Sequence, residues 1–186
     1  MALTYGTEEW EAAYQEILQR RLKEKSEPYV MGTPEWVDVY EKKVQGDADY
    51  REAARDWEGT VVLHTLAEPE IGLEQDTYLL MDLWHGDCRK IRLVTPEVGE
   101  TADFVITGSY LIWKKVNRSE VDTNKAVMQG KLSLKGDLAT IVRYTQASTR
   151  LTELSLSIDT LFPDEISPEQ LEDLKELTEE FSQKFL

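Results

Sequence analysis

The chain has 186 residues, 36 of them acidic and 21 basic, for a formal charge of −15. At that length one domain is the default, and roughly 70% of the extended surface can be buried on folding. A pI near 4.6 without any cluster of lysine or arginine argues against a nucleic-acid partner or an anchor to anionic membrane.

Thr7 is a candidate N-cap, and Trp10, Ala13, Tyr14, Ile17, Leu18 and Leu22 recur after it at three- and four-residue spacing, which predicts a helix with one buried stripe. Pro28 breaks it. Thr33-Pro34 opens a second helix carrying Trp36, Val37, Val39, Tyr40 and Val44 up to Gly46. A third, short helix is expected after Asp47, with Tyr50, Ala53, Ala54 and Trp57 on its apolar face. The periodicity then changes. Residues 60–66 are β-branched and short, and 78–84 place Leu79, Met81 and Leu83 on one apolar face and Tyr78, Leu80, Asp82 and Trp84 on a mixed one. Gly86-Asp87 suits a two-residue turn into a strand over 90–94, and 102–107 reads as a fourth strand in a sheet expected to be antiparallel.

Ser109 can cap a helix with Leu111, Ile112, Trp113 and Val116; a short helix over 124–128 leads to Gly130, and 131–135 alternate as a fifth strand. Gly136 leaves that strand, and Asp137 caps a helix bearing Leu138, Ile141 and Val142 that is expected to run as far as Leu154. Ser167-Pro168-Glu169-Gln170 fits a capping box for a final amphipathic helix with Leu171, Leu174, Leu177, Phe181 and Phe185 on one side. The regions around Pro28 and Pro163 read as linkers. The division expected is a helical extension over 1–46, a central domain over 47–162 and a terminal helix over 163–186, together one compact unit.

The reactive inventory is thin. His64 and His85 have no zinc-ligand spacing, Cys88 stands beside a turn, no phosphate-cradling glycine motif occurs, and the acidic runs lack the ligand pattern of a calcium loop. No metal and no cofactor is therefore expected. A lone cysteine, the lack of a signal-peptide pattern before Tyr14 and the lack of a long apolar run predict a cytoplasmic protein without integral membrane association.

The segment Met128-Gln129-Gly130-Lys131-Leu132-Ser133-Leu134-Lys135-Gly136-Asp137, preceded by a strand-helix unit over 102–113 and followed by an apolar helix, resembles the sterol carrier protein type 2 family over about 59–154. That resemblance implies an α+β fold, a mostly antiparallel five-stranded sheet covered by helices on one side. It also implies non-enzymatic carriage of a fatty acid, acyl-CoA or sterol in an apolar tunnel. The lining expected from the sheet face and its helices is Leu63, Leu79, Met81, Leu83, Ile91, Phe104, Ile106, Leu111, Met128, Leu132, Leu134, Ile141 and Val142, with plain core packing as the competing role for each. Met81 and Met128 are favoured for their adaptable thioethers, and Trp36, Trp84 and Trp113 are candidates for an entrance. The terminal helix either caps the core or closes the tunnel by laying Leu174, Phe181 and Phe185 over it. The C-terminal Lys184-Phe185-Leu186 departs from a Ser-Lys-Leu peroxisomal address. The negative charge favours delivery to a protein partner, or a soluble thioester ligand, over shuttling between anionic bilayers. Two other classes compete with a carrier: an accessory subunit whose cavity is filled, and an enzyme acting on acyl substrates, for which His64 or Asp82 would have to point into the cavity.

Overall fold

A computed structural model describes residues 2–186. Helix α1 (Glu8–Glu24) starts where the Thr7 hydroxyl accepts from the Trp10 amide, and it buries Trp10, Tyr14, Ile17 and Leu18 as the spacing requires. It also buries Arg21, one turn beyond Ile17. A short strand β1 (Tyr29–Val30) precedes α2 (Pro34–Gln45) and α3 (Ala48–Ala53), the latter capped by Asp47. The Thr33 hydroxyl does not cap α2; it donates back to the Val30 carbonyl at 2.7 Å.

The main sheet is built from β2 (Glu58–Thr65), β3 (Thr77–Trp84), β4 (Asp87–Val94), β5 (Phe104–Gly108) and β6 (Ser133–Lys135), in spatial order β4-β3-β2-β5-β6. All neighbours are antiparallel except β2 and β5, which run parallel with Leu63 opposite Ile106. A parallel pair needs a crossover, and β3 and β4 with the short helix α4 (Pro96–Gly99) form it. The β3–β4 turn lies one residue earlier than the sequence suggests. Its central residues are His85 and Gly86, both at positive φ (48° and 84°), which is the backbone that matches the strands' twist. A Cβ at Gly86 would collide with the Arg51 carbonyl oxygen.

Beyond the sheet come α5 (Tyr110–Asn117), α6 (Thr123–Met128), α7 (Leu138–Arg143) and α8 (Thr145–Leu156). The expected helix over 138–154 is broken at Tyr144, whose φ and ψ of −101° and 31° leave the helical region. Its hydroxyl donates to the Asp56 carbonyl at 2.9 Å, and its ring stands edge-on to Trp57, so tertiary contacts hold the break. The two segments read as linkers are tied down. Strand β1 pairs in parallel with β7 (Thr160–Leu161), and Lys114 Nζ reaches Asp164 at 2.8 Å and Glu165 at 2.7 Å. The chain ends in α9 (Pro168–Phe185), where both halves of the Ser167–Gln170 capping box are present.

Cross-strand register sets two faces. Val61, Leu63, Leu79, Met81, Leu93 and Ile106 share the face turned to the helices. The opposite face is mixed in sequence, yet Val62, Leu80 and Val105 on it are also buried.

Candidate functional site

Between that sheet face and α2, α3, α5, α6, α7 and α8 the structure leaves a partly open cavity of about 180 Å³. Strand alternation brings Leu63, Leu79, Met81, Leu83 and Ile106 to its floor, and Ile141 reaches it from α7. These belong to the expected lining. Four other candidates sit in packed core: Ile91 is fully buried where α2 lies on β4, Phe104 packs on Trp57 at 5.0 Å, Leu132 fills the space above Gly108, and Leu134 packs on the core from β6. The last three turn outward: Leu111, Val142 and Met128, the last 72% exposed, do not border the cavity. On a short helix a one-residue change of phase rotates a side chain by about 100°, and α5, α6 and α7 are too short for periodicity to fix that phase.

The roof is the less legible half. Trp36, Val37 and Tyr40 of α2, Tyr50 of α3 and Ala54 just after it, Trp57, Trp113 of α5, and Tyr144, Ala147 and Leu151 close the cavity from above. Trp84 instead lies 40% exposed at the hairpin, stacked on His85. The dense aromatic face of α2 is a signal for its place in the roof, but a helix ahead of the family-like segment reads as an extension packed on the outside of the domain.

Among the described residues, no aspartate, glutamate, lysine, arginine, histidine or cysteine borders this cavity. His64 lies on the opposite sheet face, its ring nitrogens 2.9 Å from Thr107 Oγ1 and 2.7 Å from Asp76 Oδ2, stacked on Tyr78. Asp76 also accepts from the Ala67 amide at 2.8 Å, so the cluster ties the β2–β3 connection to the sheet. Asp82 accepts from Arg89 at 2.9 Å. Neither residue reaches the cavity. Burial pushes the Cys88 thiol up to about 12, which keeps it protonated at neutral pH. Among the described residues no group of three or more histidine, cysteine or acidic side chains is arranged to hold a metal ion.

A second space of about 890 Å³ lies outside, between α9 and the segment from Gly72 to Tyr78. Leu174, Phe181 and Leu186 border it, whereas Phe185 packs inward on Trp10 at 5.0 Å. Met31, Gly32, Thr77 and Leu93 border both spaces. The partition between them is therefore a single layer of residues.

The model of the SCP-2 sterol transfer family matches residues 40–147. The chain belongs to this family. A crystal structure of sterol carrier protein 2 is 33% identical, with a TM-score of 0.63, over 69% of this chain and 98% of that one. A solution structure from Thermus thermophilus, of a conserved hypothetical protein described as possibly a sterol carrier protein, is 32% identical with a TM-score of 0.64, over 70% of this chain and 91% of that one. No curated protein matches the chain. Membership supports lipid-carrier-type binding in general terms, and the family match leaves out α1, the first half of α2, most of α8 and all of α9.

Proposed function

We propose that the chain binds and carries a lipid-like ligand, without transforming it, in the apolar space between sheet and helices. The observation that carries this reading is a hollow of about 180 Å³ whose described wall holds no acid, base, thiol or metal-ligand cluster. A packed core leaves few voids larger than a water molecule, and an engineered apolar cavity of about 150 Å³ accepts benzene. Each methylene moved there from water contributes about 0.8 kcal/mol. Ligand pockets more often span about 300–1,000 Å³, so a long chain would have to pass the Met31, Gly32, Thr77 and Leu93 layer into the outer groove of about 890 Å³. Fatty acid, acyl-CoA and sterol share that apolar requirement. The −15 charge favours hand-over to a protein over collision with an anionic bilayer.

Native mass spectrometry of protein purified without detergent tests the reading. The expected result is an apolar adduct that Ala147→Leu displaces, since Ala147 borders the cavity and three added carbons project into it. A Tm held or raised in that variant fits a hollow. A loss of about 1–3 kcal/mol of stability, the cost of overpacking a full core, together with no adduct in the parent protein, would refute it.

A further inference from the structure

We propose that the outer faces of α6 and α7 form a docking surface for an anionic bilayer, the side from which the chain takes up its cargo. The net charge of −15 is unevenly placed. Residues 123–143 hold four basic side chains and a single acidic one, Asp137, while the rest of the chain holds 17 basic and 35 acidic. Asp137 is committed to its own helix, where its carboxylate accepts from the Thr140 amide at 2.8 Å and from the Thr140 hydroxyl. An asymmetry of this kind points to a charged partner.

The same segment carries exposed apolar side chains: Met128 at 72%, Leu138 at 44% and Val142 at 42%. The Thr145 hydroxyl ties the two helices together, accepting from Asn124 Nδ2 at 2.9 Å and donating to the Val142 carbonyl at 2.7 Å. Met128 stands one turn after Asn124 on α6, and Leu138 one turn before Val142 on α7, so the exposed faces of the two helices adjoin. Cations surround them. Lys125 precedes Met128 by three residues on the same face, Arg143 ends α7, and the Lys131 amide donates to the Ala126 carbonyl at 2.9 Å, which holds Lys131 at the end of α6. Among the described residues none of Lys125, Lys131 and Arg143 has an acidic side chain within 4.0 Å, whereas Arg20, Arg21, Arg92, Lys114 and Arg150 all do.

Shape favours a bilayer over a folded partner. Met128, Leu138 and Val142 border neither hollow, so they protrude, and a protruding apolar group needs a matching recess in a protein but none in a fluid interface. Lysine and arginine beside it can lay their methylenes along apolar surface and keep their charge among the headgroups. Acids farther off than the screening length, about 10 Å at 0.1 M salt, oppose random collision but not a contact made through this face. On their inner side the same two helices supply Thr123, Asn124 and Ile141 to the cavity wall. Docking therefore sets the hollow beside the lipid from which a carrier loads, and hand-over to a protein is a separate step. The loading role rests on the carriage reading; the docking surface does not.

Sedimentation of the full chain with large vesicles tests the assignment. Binding is expected to phosphatidylcholine vesicles that contain about 30% phosphatidylglycerol, to be roughly tenfold weaker without the anionic lipid, and to be lost at about 1 M salt. Lys131→Gln with Arg143→Gln should weaken it roughly 25-fold, about fivefold per charge. Met128→Ser with Leu138→Ser should weaken it about fivefold or more at an unchanged Tm, since both side chains are exposed. Lys23→Gln with Lys43→Gln, cations of α1 and α2 outside this face, should change it less than about twofold. Equal binding to both kinds of vesicle, or a loss in the Lys23 and Lys43 pair as large as in the Lys131 and Arg143 pair, would overturn the assignment. So would no binding to either, which would leave the face to an acidic protein. Any of these failures leaves carriage standing, because docking is read without cargo. A chain that docks but yields no apolar adduct in native mass spectrometry would refute carriage, and loading with it, while the surface stands.

Discussion

Arg21 shows what a stripe reading misses. Its position continues the Ile17 and Leu18 face of α1, where an apolar residue is expected, and it is 3% exposed beside Glu35 at 2%. Two parallel bonds of 2.7 and 2.8 Å join the pair, and Asp173 of α9 adds a third at 2.9 Å. Burial works against the guanidinium's charge, but these hydrogen bonds outweigh it and raise its affinity for the proton. Arg21→Met should cost about 3–5 kcal/mol, because Glu35 is then left charged and uncompensated in the interior. Chemical denaturation measures this, and restoration of most of the loss by Arg21→Met with Glu35→Met would confirm that the orphaned charge is the cause. The sequence holds the clue, a charged residue in phase with an apolar stripe, but not the partner, which stands 14 residues on in another helix. The cavity floor is more legible. Leu63, Leu79, Met81 and Ile106 follow from strand alternation, a period of two that tolerates small errors of boundary. Helical phase has no such tolerance, and Leu111, Met128 and Val142, expected to face inward, stand on helices of six to eight residues that turn them out.

At the scale of elements, α9 divides its labour. Leu177 and Phe185 are buried, and Asp173 holds Arg21 and, at 2.7 Å, Lys25; Phe181 and Leu186 border the outer groove. Cutting the chain after Asp164 would therefore strip core as well as groove, and a change of affinity in that truncation would not separate lid from cap. Phe181→Ala is the cleaner change. If long guests continue into the groove, it should weaken binding of 1-hexadecanol roughly tenfold and of 1-octanol less than about twofold, the short chain ending inside the inner cavity. Titration of both alcohols checks this, and an equal effect on the two lengths would confine the guest to the inner space. The terminal capping box and the caps at Thr7, Asp47, Ser109 and Asp137 can be read from residue type alone, since each satisfies amides within its own turn. The break at Tyr144 and the β1–β7 pair cannot, because their partners lie far along the chain: Asp56 for one, and the stretch over 160–161 for the other.

For the whole molecule, an excess of acid is made stable by pairing. A hydrogen bond from Arg150 holds the Asp47 carboxyl at about 2, and Glu180, Glu165, Asp164, Asp173 and Glu11 also lie below the usual range beside Arg20, Lys114, Arg118, Arg21 and Arg92. A carboxylate whose folded value is depressed contributes stability that is complete above its unfolded value, near 3.9 for aspartate, and is lost as pH falls through the folded one. The Tm should thus be flat near neutrality and fall steeply below about pH 4.5. Asp47→Asn keeps a good cap but removes the charge, so its deficit relative to the parent should be constant above about pH 5, shrink between about pH 4 and 2, and diminish in high salt. Thermal scans across that range measure it; a deficit that grows on acidification would contradict the pairing.

The residues that enclose the inner hollow do not respect the limits of the family match. Met31, Trp36 and Val37 come before residue 40, and Ser148, Leu151, Thr152 and Ser155 come after residue 147. A protein trimmed to the matched span would keep the floor of the chamber and lose parts of its ceiling at both ends. The flanking helices are thus not ornaments on a ready-made container; whatever size of guest this chain accepts is set in large part by sequence that its relatives need not share.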